Sequence, residues 1–314
     1  MRVVTDLSVS PWPGERTVIT IGAYDGVHLG HQAVIGEVRR IAQATGARSA
    51  VVTFDRHPAS VVRPESAPRL LTDLDQKLEL LSRTGVDATV VITFDEAQSQ
   101  EAPLAFAQRV LVDCLATSVV VVGDDFHFGR GRDGNVGTLR ELGAVRDFEV
   151  LPMSLIGRSD GPDEPISSTA IRRAMAGGQV ELAALLLGHP FEARGVVVQG
   201  DQRGRLLGFP TANVEVPIAI CVPADGVYAG WYYRPDGSRH ACAINLGRRP
   251  TFYEHAEHSL LEAHLLDFAG DLYGEAARVE FTHFLRSERK FDGIDALIGQ
   301  LKNDIDHARG VLGA

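Results

Sequence analysis

The sequence predicts two parts, an α/β doubly wound parallel sheet followed by a six-stranded antiparallel β-barrel with a closing helix, on three observations. In the first 187 residues, continuous apolar runs rich in Val and Ile alternate with helical patterns, as in a parallel sheet buried on both faces. Past Leu187-Gly188-His189-Pro190 the helical pattern stops, and short strands separated by Gly and Pro take over. A length of 314 residues allows two cores, and 45% apolar with 23% charged residues is ordinary for a soluble globular chain. The predicted domains are therefore 1–187 and 188–314, with little linker between them.

A net charge of -10 argues against a broad nucleic-acid or membrane surface, so any bound phosphate has to be held by local features. Three scattered cysteines, Cys114, Cys221 and Cys242, fit a reducing compartment and no disulfide framework. Met1 to Ser10 carries neither a basic start nor a long apolar run, and no stretch is long enough to span a bilayer. The expectation is a cytoplasmic protein with no membrane partner; nothing in the sequence sets its oligomeric state.

Thr17 to Ile21 is the first strand. It leads through Gly22-Ala23-Tyr24-Asp25-Gly26-Val27-His28-Leu29-Gly30-His31 into a helix over Gln32 to Thr45, with Val34, Ile35, Val38 and Ile41 at helical spacing. Gly22 and Gly26 allow backbone angles that a side chain forbids, and Gly30 admits a close approach to the main chain. Two histidines three apart at a helix mouth, beside unpaired amides and the positive end of the dipole, suit an anion such as phosphate. Two histidines on a surface loop would read the same way. A metal pair is a further reading, but the cysteines offer no close ligand spacing to complete it.

Arg48 to Phe54 is the second strand, reached by a right-handed crossover, and Asp87 to Phe94 and Ser118 to Val122 are the next two. Helices are predicted at Asp75 to Arg83, Pro103 to Leu115 and Val136 to Leu142, and a weaker strand at Phe148 to Leu151. Ligands of such sheets sit off the carboxyl ends of the strands. Those ends carry Tyr24, Asp25 and His28, then Asp55, Arg56 and His57, then Gly123, Asp124, Asp125 and Phe126. An Asp after a strand also serves as a plain turn or helix cap. The basic glycine-rich run Phe126 to Gly134 folds over a ligand or is simply mobile. In Pro165 to Arg173 a helix starts, with Ser168 or Thr169 as cap and Arg172 a turn in, a second anion site or an ordinary cap.

In the second half, strands are predicted at Phe191 to Val198, Ala212 to Val216, Gly226 to Tyr233, His240 to Leu246, Leu260 to Phe268 and Ala277 to Phe284. The closing helix, Ile294 to Val311, aligns Leu297, Leu301, Ile305 and Ala308. Gly200, Gly204 and Gly208, spaced by four with Arg205 among them, make a pliable loop able to wrap phosphates, though not a Walker loop. Extended backbone at Thr211 to Asn213 projects a hydroxyl and an amide oxygen from one face, a pair that suits magnesium on ATP phosphates. A solvated strand face would carry the same residues. Glu262 alternates with leucines; it is a surface carboxylate or, in a pocket beside magnesium-ATP, a base for a substrate hydroxyl.

Together GxxDGVHLGH, GDDFHFG and ISSTAIR resemble the nucleotidyltransferase module of the prokaryotic bifunctional riboflavin kinase/FAD synthetase family. Tyr24 stands where many relatives have phenylalanine, which preserves ring packing. GRLLGFPTAN, NLGRRPTF (Asn245 to Phe252), LEAHLLDF and LRSERKF resemble its riboflavin kinase module, so the resemblance covers essentially the whole chain in family order. It implies a transferase that makes FMN from riboflavin and FAD from FMN, each with ATP, and a six-stranded kinase barrel. It further implies magnesium at Thr211 and Asn213 and Glu262 as base. His28, His31 and Arg172 are the implied catalytic groups of the first module. Gly22, Tyr24, Asp25, Gly26, Gly30, Asp125, Ser168 and Thr169 would line its nucleotide, and Gly200, Gly204, Arg205 and Gly208 that of the second.

Overall fold

Val18 and Ile19 are wholly excluded from solvent yet point to opposite faces, so the first apolar run is a central strand covered on both sides. The computed structural model describes residues 1–154, 165–200, 203–248 and 259–314. Asp201 and Gln202 of the glycine loop, and the 249–252 end of the Asn245 to Phe252 motif, lie outside them. The chain falls into two compact units, Met1–Ser168 and Thr169–Ala314.

The first unit is a six-stranded sheet in the order β1-β4-β3-β2-β5-β8: β1 (Arg2–Val4), β2 (Thr17–Ile21), β3 (Arg48–Phe54), β4 (Ala88–Ile92), β5 (Thr117–Gly123) and β8 (Glu149–Met153). Every pairing is parallel. The chain winds outward from β2 through β3 to β4, then returns so that β5 pairs with β2 on its other side. The switch point therefore lies between β2 and β5, the place where sheets of this kind bind ligands beyond their carboxyl ends. One face is filled by Ile19, Val52, Val90, Leu111 and Leu139, the other by Val18, Val38 and Val121, with Ile35 and Leu81 in a further cluster.

One strand was not predicted, and two predicted segments differ in detail. The edge strand β1 carries no periodic signal in its three residues and exists because β4 offers a partner. The helix expected over Pro103 to Leu115 is α-helical only at Pro103–Ala107 and widens to π geometry at Gln108–Cys114. The basic glycine-rich run is a small hairpin, β6 (His127–Phe128) with β7 (Gly134–Asn135), anchored by buried Phe128 and by the Arg130 amide donating to the Glu101 carbonyl at 2.9 Å.

In the second unit, β9 (Phe191–Val198), β10 (Ala212–Glu215), β11 (Gly226–Tyr233), β12 (Arg239–Arg248), β13 (Ser259–Leu265) and β14 (Ala276–Arg286) close into an antiparallel barrel, ordered β10-β13-β12-β11-β14-β9. Tyr228, Tyr232, Phe191 and Phe281 fill it. The closing helix, Ile294–Leu312, packs on β11, β12 and β14 and is pinned by Arg286 on buried Asp304 at 2.7 Å. The helices Ser168–Ala176 and Val180–Leu187 precede β9, and the second is held where the Phe284 amide donates to Glu181 at 2.9 Å.

Candidate active sites

Beyond β2 the chain turns sharply: Tyr24, Gly26 and Val27 all have positive φ, at 52°, 81° and 41°. For a β-branched residue such as Val27 this is a strained conformation, which persists only where the surroundings enforce it. They do so here. The Asp25 carboxylate, 5% exposed, accepts from the amides of Leu71 and Thr72, and the Gly26 amide donates to the Thr72 hydroxyl at 3.1 Å. Tyr24 is buried with its hydroxyl 2.6 Å from that of Thr20, and burial pushes its phenol up from the usual range.

The turn delivers His28 as the N-cap of the helix Leu29–Thr45, where its Nδ1 accepts from the His31 amide at 3.3 Å. With Nδ1 accepting, a neutral His28 ring carries its proton on Nε2. The His28 and His31 rings stack with centroids 3.5 Å apart and planes at 18°, and Tyr24 tilts against His31 at 4.7 Å. His31 Nδ1 is sealed from solvent with no hydrogen-bond partner. Burial, with His28 and Lys77 nearby, holds His31 well below its ordinary pKa, so the ring is neutral at pH 7. A Cβ on Gly30 would lie 3.2 Å from the His28 ring and from the Ile166 carbonyl; glycine leaves space for the imidazole.

Ser168 is brought to this loop, its hydroxyl donating to the Asp25 carbonyl at 3.0 Å. Ser168 and Thr169 stand in the first turn of the helix Ser168–Ala176 rather than ahead of it, which corrects their expected place as cap. Arg172, one turn further on, is partly exposed. Asp125 is exposed just past β5, its carbonyl 2.8 Å from Nδ1 of His127. Asp55 accepts from the Phe94 amide at 2.8 Å and Asp124 from the Ser154 hydroxyl at 2.9 Å, bonds to distant segments in place of the local turn or helix cap expected. Lys77, on the helix Leu74–Arg83, escaped the sequence reading; the available signal was a lysine in line with Leu74 and Leu81 on the apolar stripe.

In the barrel, register makes the constellation. Asn213 of β10 lies opposite Glu262 of β13, and Glu262 lies opposite Asn245 of β12, so three polar side chains share one face across three adjacent strands. Thr211 sits two residues before Asn213, and the Pro210 carbonyl ahead of it is held 2.7 Å from Nδ1 of His264. Asn213 is 6% exposed and its Oδ1 has no partner, an orphaned hard oxygen of the kind a metal ion satisfies. Gly200 packs so tightly on this amide that a Cβ would fall 2.5 Å from Nδ2. The glycine loop is not wholly pliable: Arg203–Leu206 forms one helical turn, and the Phe209 amide closes on the Gly204 carbonyl at 2.8 Å.

Thr211 and Asn213 border two cavities. One, about 690 Å³, is lined by Glu262, Asn245, Phe209, Phe291, Leu297 and Glu288 among others. The other, about 620 Å³, is lined by Arg205, Phe268, Asp271 and Tyr273. Burial, with Asp225 and Glu262 nearby, pushes the Glu288 carboxyl up. Asn245 and Glu288 stand in quoted motifs, but only pairing across strands and chain closure reveal that they face Glu262.

An FAD synthetase family model matches residues 11–170 and a riboflavin kinase family model matches residues 187–312. The bifunctional riboflavin kinase/FMN adenylyltransferase of Listeria monocytogenes is 38% identical over 96% of this chain and 95% of its own. That of Escherichia coli K12 is 36% identical over 98% and 96%. The crystal structure of a macrolide-efflux protein from Streptococcus pneumoniae is similar over 98% of both chains, with a TM-score of 0.85 at 28% identity, and carries the same fold. Among the described residues no helix is long and apolar enough to cross a membrane. Matched from end to end in both halves, the chain belongs to the bifunctional riboflavin kinase/FMN adenylyltransferase family and is a transferase that makes FMN from riboflavin and FAD from FMN.

Proposed function

We propose that the two reactions occupy two separate sites, with adenylyl transfer at the His28–His31 pair and phosphoryl transfer at the Thr211–Asn213–Glu262 face. The observation that carries this reading is that the two constellations fall in different units.

At the barrel site, Glu262 takes the proton of the ribityl 5'-hydroxyl as its oxygen attacks the γ-phosphorus of ATP and ADP departs. The cavity containing Glu262 suits the flavin, since Phe209, Phe291 and Leu297 offer apolar faces to a flat ring. The cavity reached by Arg205 and Asp271 then suits the nucleotide, with Gly200, Gly204 and Gly208 over its phosphates. Thr211 and the orphaned oxygen of Asn213 fit Mg2+. When bound there, the ion would neutralise charge on the phosphates.

At the sheet site, an oxygen of the FMN phosphate attacks the α-phosphorus of a second ATP and pyrophosphate leaves; the nucleophile is already an anion and needs no base. His28, through Nε2–H, and neutral His31 donate to the crowded phosphorus and the departing pyrophosphate, supported by Ser168 of the same unit. Gly22, Gly26 and Gly30 let the nucleotide approach the backbone, with Tyr24, Asp25 and Asp125 shaping its seat. We assign the functional boundary to about Leu187 and the enzyme to the cytoplasm. Replacing His28 by Ala should abolish FAD formation and leave FMN formation intact, as read by chromatography after incubation with riboflavin, ATP and magnesium. Loss of both products would refute the two-site assignment.

A further inference from the structure

Among the described residues, Lys77 is the buried cation that neither proposed reaction employs. It is 7% exposed, and its ammonium donates to the carbonyl of Phe54 at 2.6 Å and to that of Ala23 at 3.3 Å. Both partners are neutral, and among the described residues no carboxylate lies within ion-pair distance of it. A small cavity beside it, about 20 Å³, has room for a single water. Stability alone does not favour such an arrangement, because a buried ammonium whose nearest carboxylates, Asp25 and Asp55, are out of contact is disfavoured against a methionine of similar length.

Its location explains why it is there. Phe54 ends β3, and Ala23 begins the strained loop that ends β2, so one ammonium ties two strand ends at the carboxyl edge of the sheet. The Ala23 carbonyl also accepts from the Thr53 hydroxyl at 3.1 Å. The loop so tethered carries the positive-φ residues Tyr24 and Val27 and delivers both imidazoles.

We propose that Lys77 is a positioning residue for adenylyl transfer, its ammonium clamping the Ala23 and Phe54 carbonyls so that the strained loop holds the His28–His31 stack in place. The inference rests on adenylyl transfer taking place at that stack. The electrostatics agree. Burial lowers the pKa of Lys77 to about 8, against the opposing pull of Asp25 on the loop and Asp55 past β3. Arg56 and His57 line the same cavity. The nearby positive charge in turn helps to keep His31 neutral.

The test uses the full chain with Lys77→Met and Lys77→Arg, following adenylylation of supplied FMN and phosphorylation of riboflavin separately. Lys77→Met should lose on the order of 10²-fold in adenylylation kcat, with a smaller change in KM and with phosphorylation unchanged. In the parent chain kcat/KM for adenylylation should fall above about pH 8, as Lys77 gives up its proton, while phosphorylation shows no such limb. Lys77→Arg should retain part of the activity and carry the limb to higher pH, a readout that persists if the Met variant does not fold. Adenylylation by Lys77→Met within about threefold of the parent, or a limb near pH 8 that Lys77→Arg leaves in place, overturns the proposal. A parent chain that makes no FAD refutes the site reading itself, whereas a parent that makes FAD beside an unaffected Met variant refutes only the role of Lys77.

Discussion

Gly200 has no room for a side chain: a Cβ would lie 2.5 Å from Nδ2 and 2.6 Å from Oδ1 of Asn213, the amide whose oxygen awaits a partner. Gly200→Ala should therefore push that amide out of line with Thr211 and Glu262. A misplacement of about 1 Å at a reacting centre costs up to ~10²-fold, so FMN formation should fall by ~10-fold or more while adenylylation of supplied FMN is untouched. Initial rates of each half-reaction, with a magnesium titration, check this. Neighbouring Asn245, on β12, and Glu288, in the segment after β14, line the same cavity, so one glycine's missing methyl group governs a site built from several elements.

The hairpin β6–β7 illustrates how an element with little regular structure is held. Gly129 has φ of 72°, and a Cβ there would meet Pro103 Cγ at 2.6 Å and its Cα at 2.8 Å. Pro103 opens a helix whose continuation, the π-helical Gln108–Cys114, is buried through Val110, Leu111 and Cys114, so it cannot yield easily. Gly129→Ala should lower the stability of the first unit by about 1–3 kcal/mol, through positive φ and overpacking together. Denaturant unfolding followed by tryptophan fluorescence measures it, Trp12 lying against the core of that unit and Trp231 within the barrel. The contact also holds this basic, glycine-rich run beside the end of β5.

For the molecule as a whole, the proposed placement of the two sites in two units predicts complementation. His28→Ala retains the barrel site and Glu262→Gln retains the sheet site, so each alone should fail to carry riboflavin to FAD. Mixed in equal amounts they should form FAD through FMN released into solution, with a lag set by its accumulation, as followed by chromatography over time. If the mixture makes FMN and no FAD although each variant keeps its own activity, FMN does not pass through free solution. The acidic balance of the chain, -10, is compatible with both proposed sites, because the proposed phosphate donors at a helix start and a glycine loop act locally.

Strands β2, β3, β9 and β11 were legible end to end, since burial on both faces or clean turn signals leave a local imprint on composition. The candidate residues His28, His31, Thr211, Asn213 and Glu262 stand in short motifs written in consecutive residues. Hidden from a linear reading were the β1 pairing, the positive φ of Tyr24 and Val27, the row Asn213–Glu262–Asn245 and the burial of Lys77. Each of these depends on groups far apart in the chain: a strand's register, a helix's orientation, a loop strained by its neighbours. Periodicity reports how much water each residue avoids; which side chain it meets when it does so is decided by long-range packing.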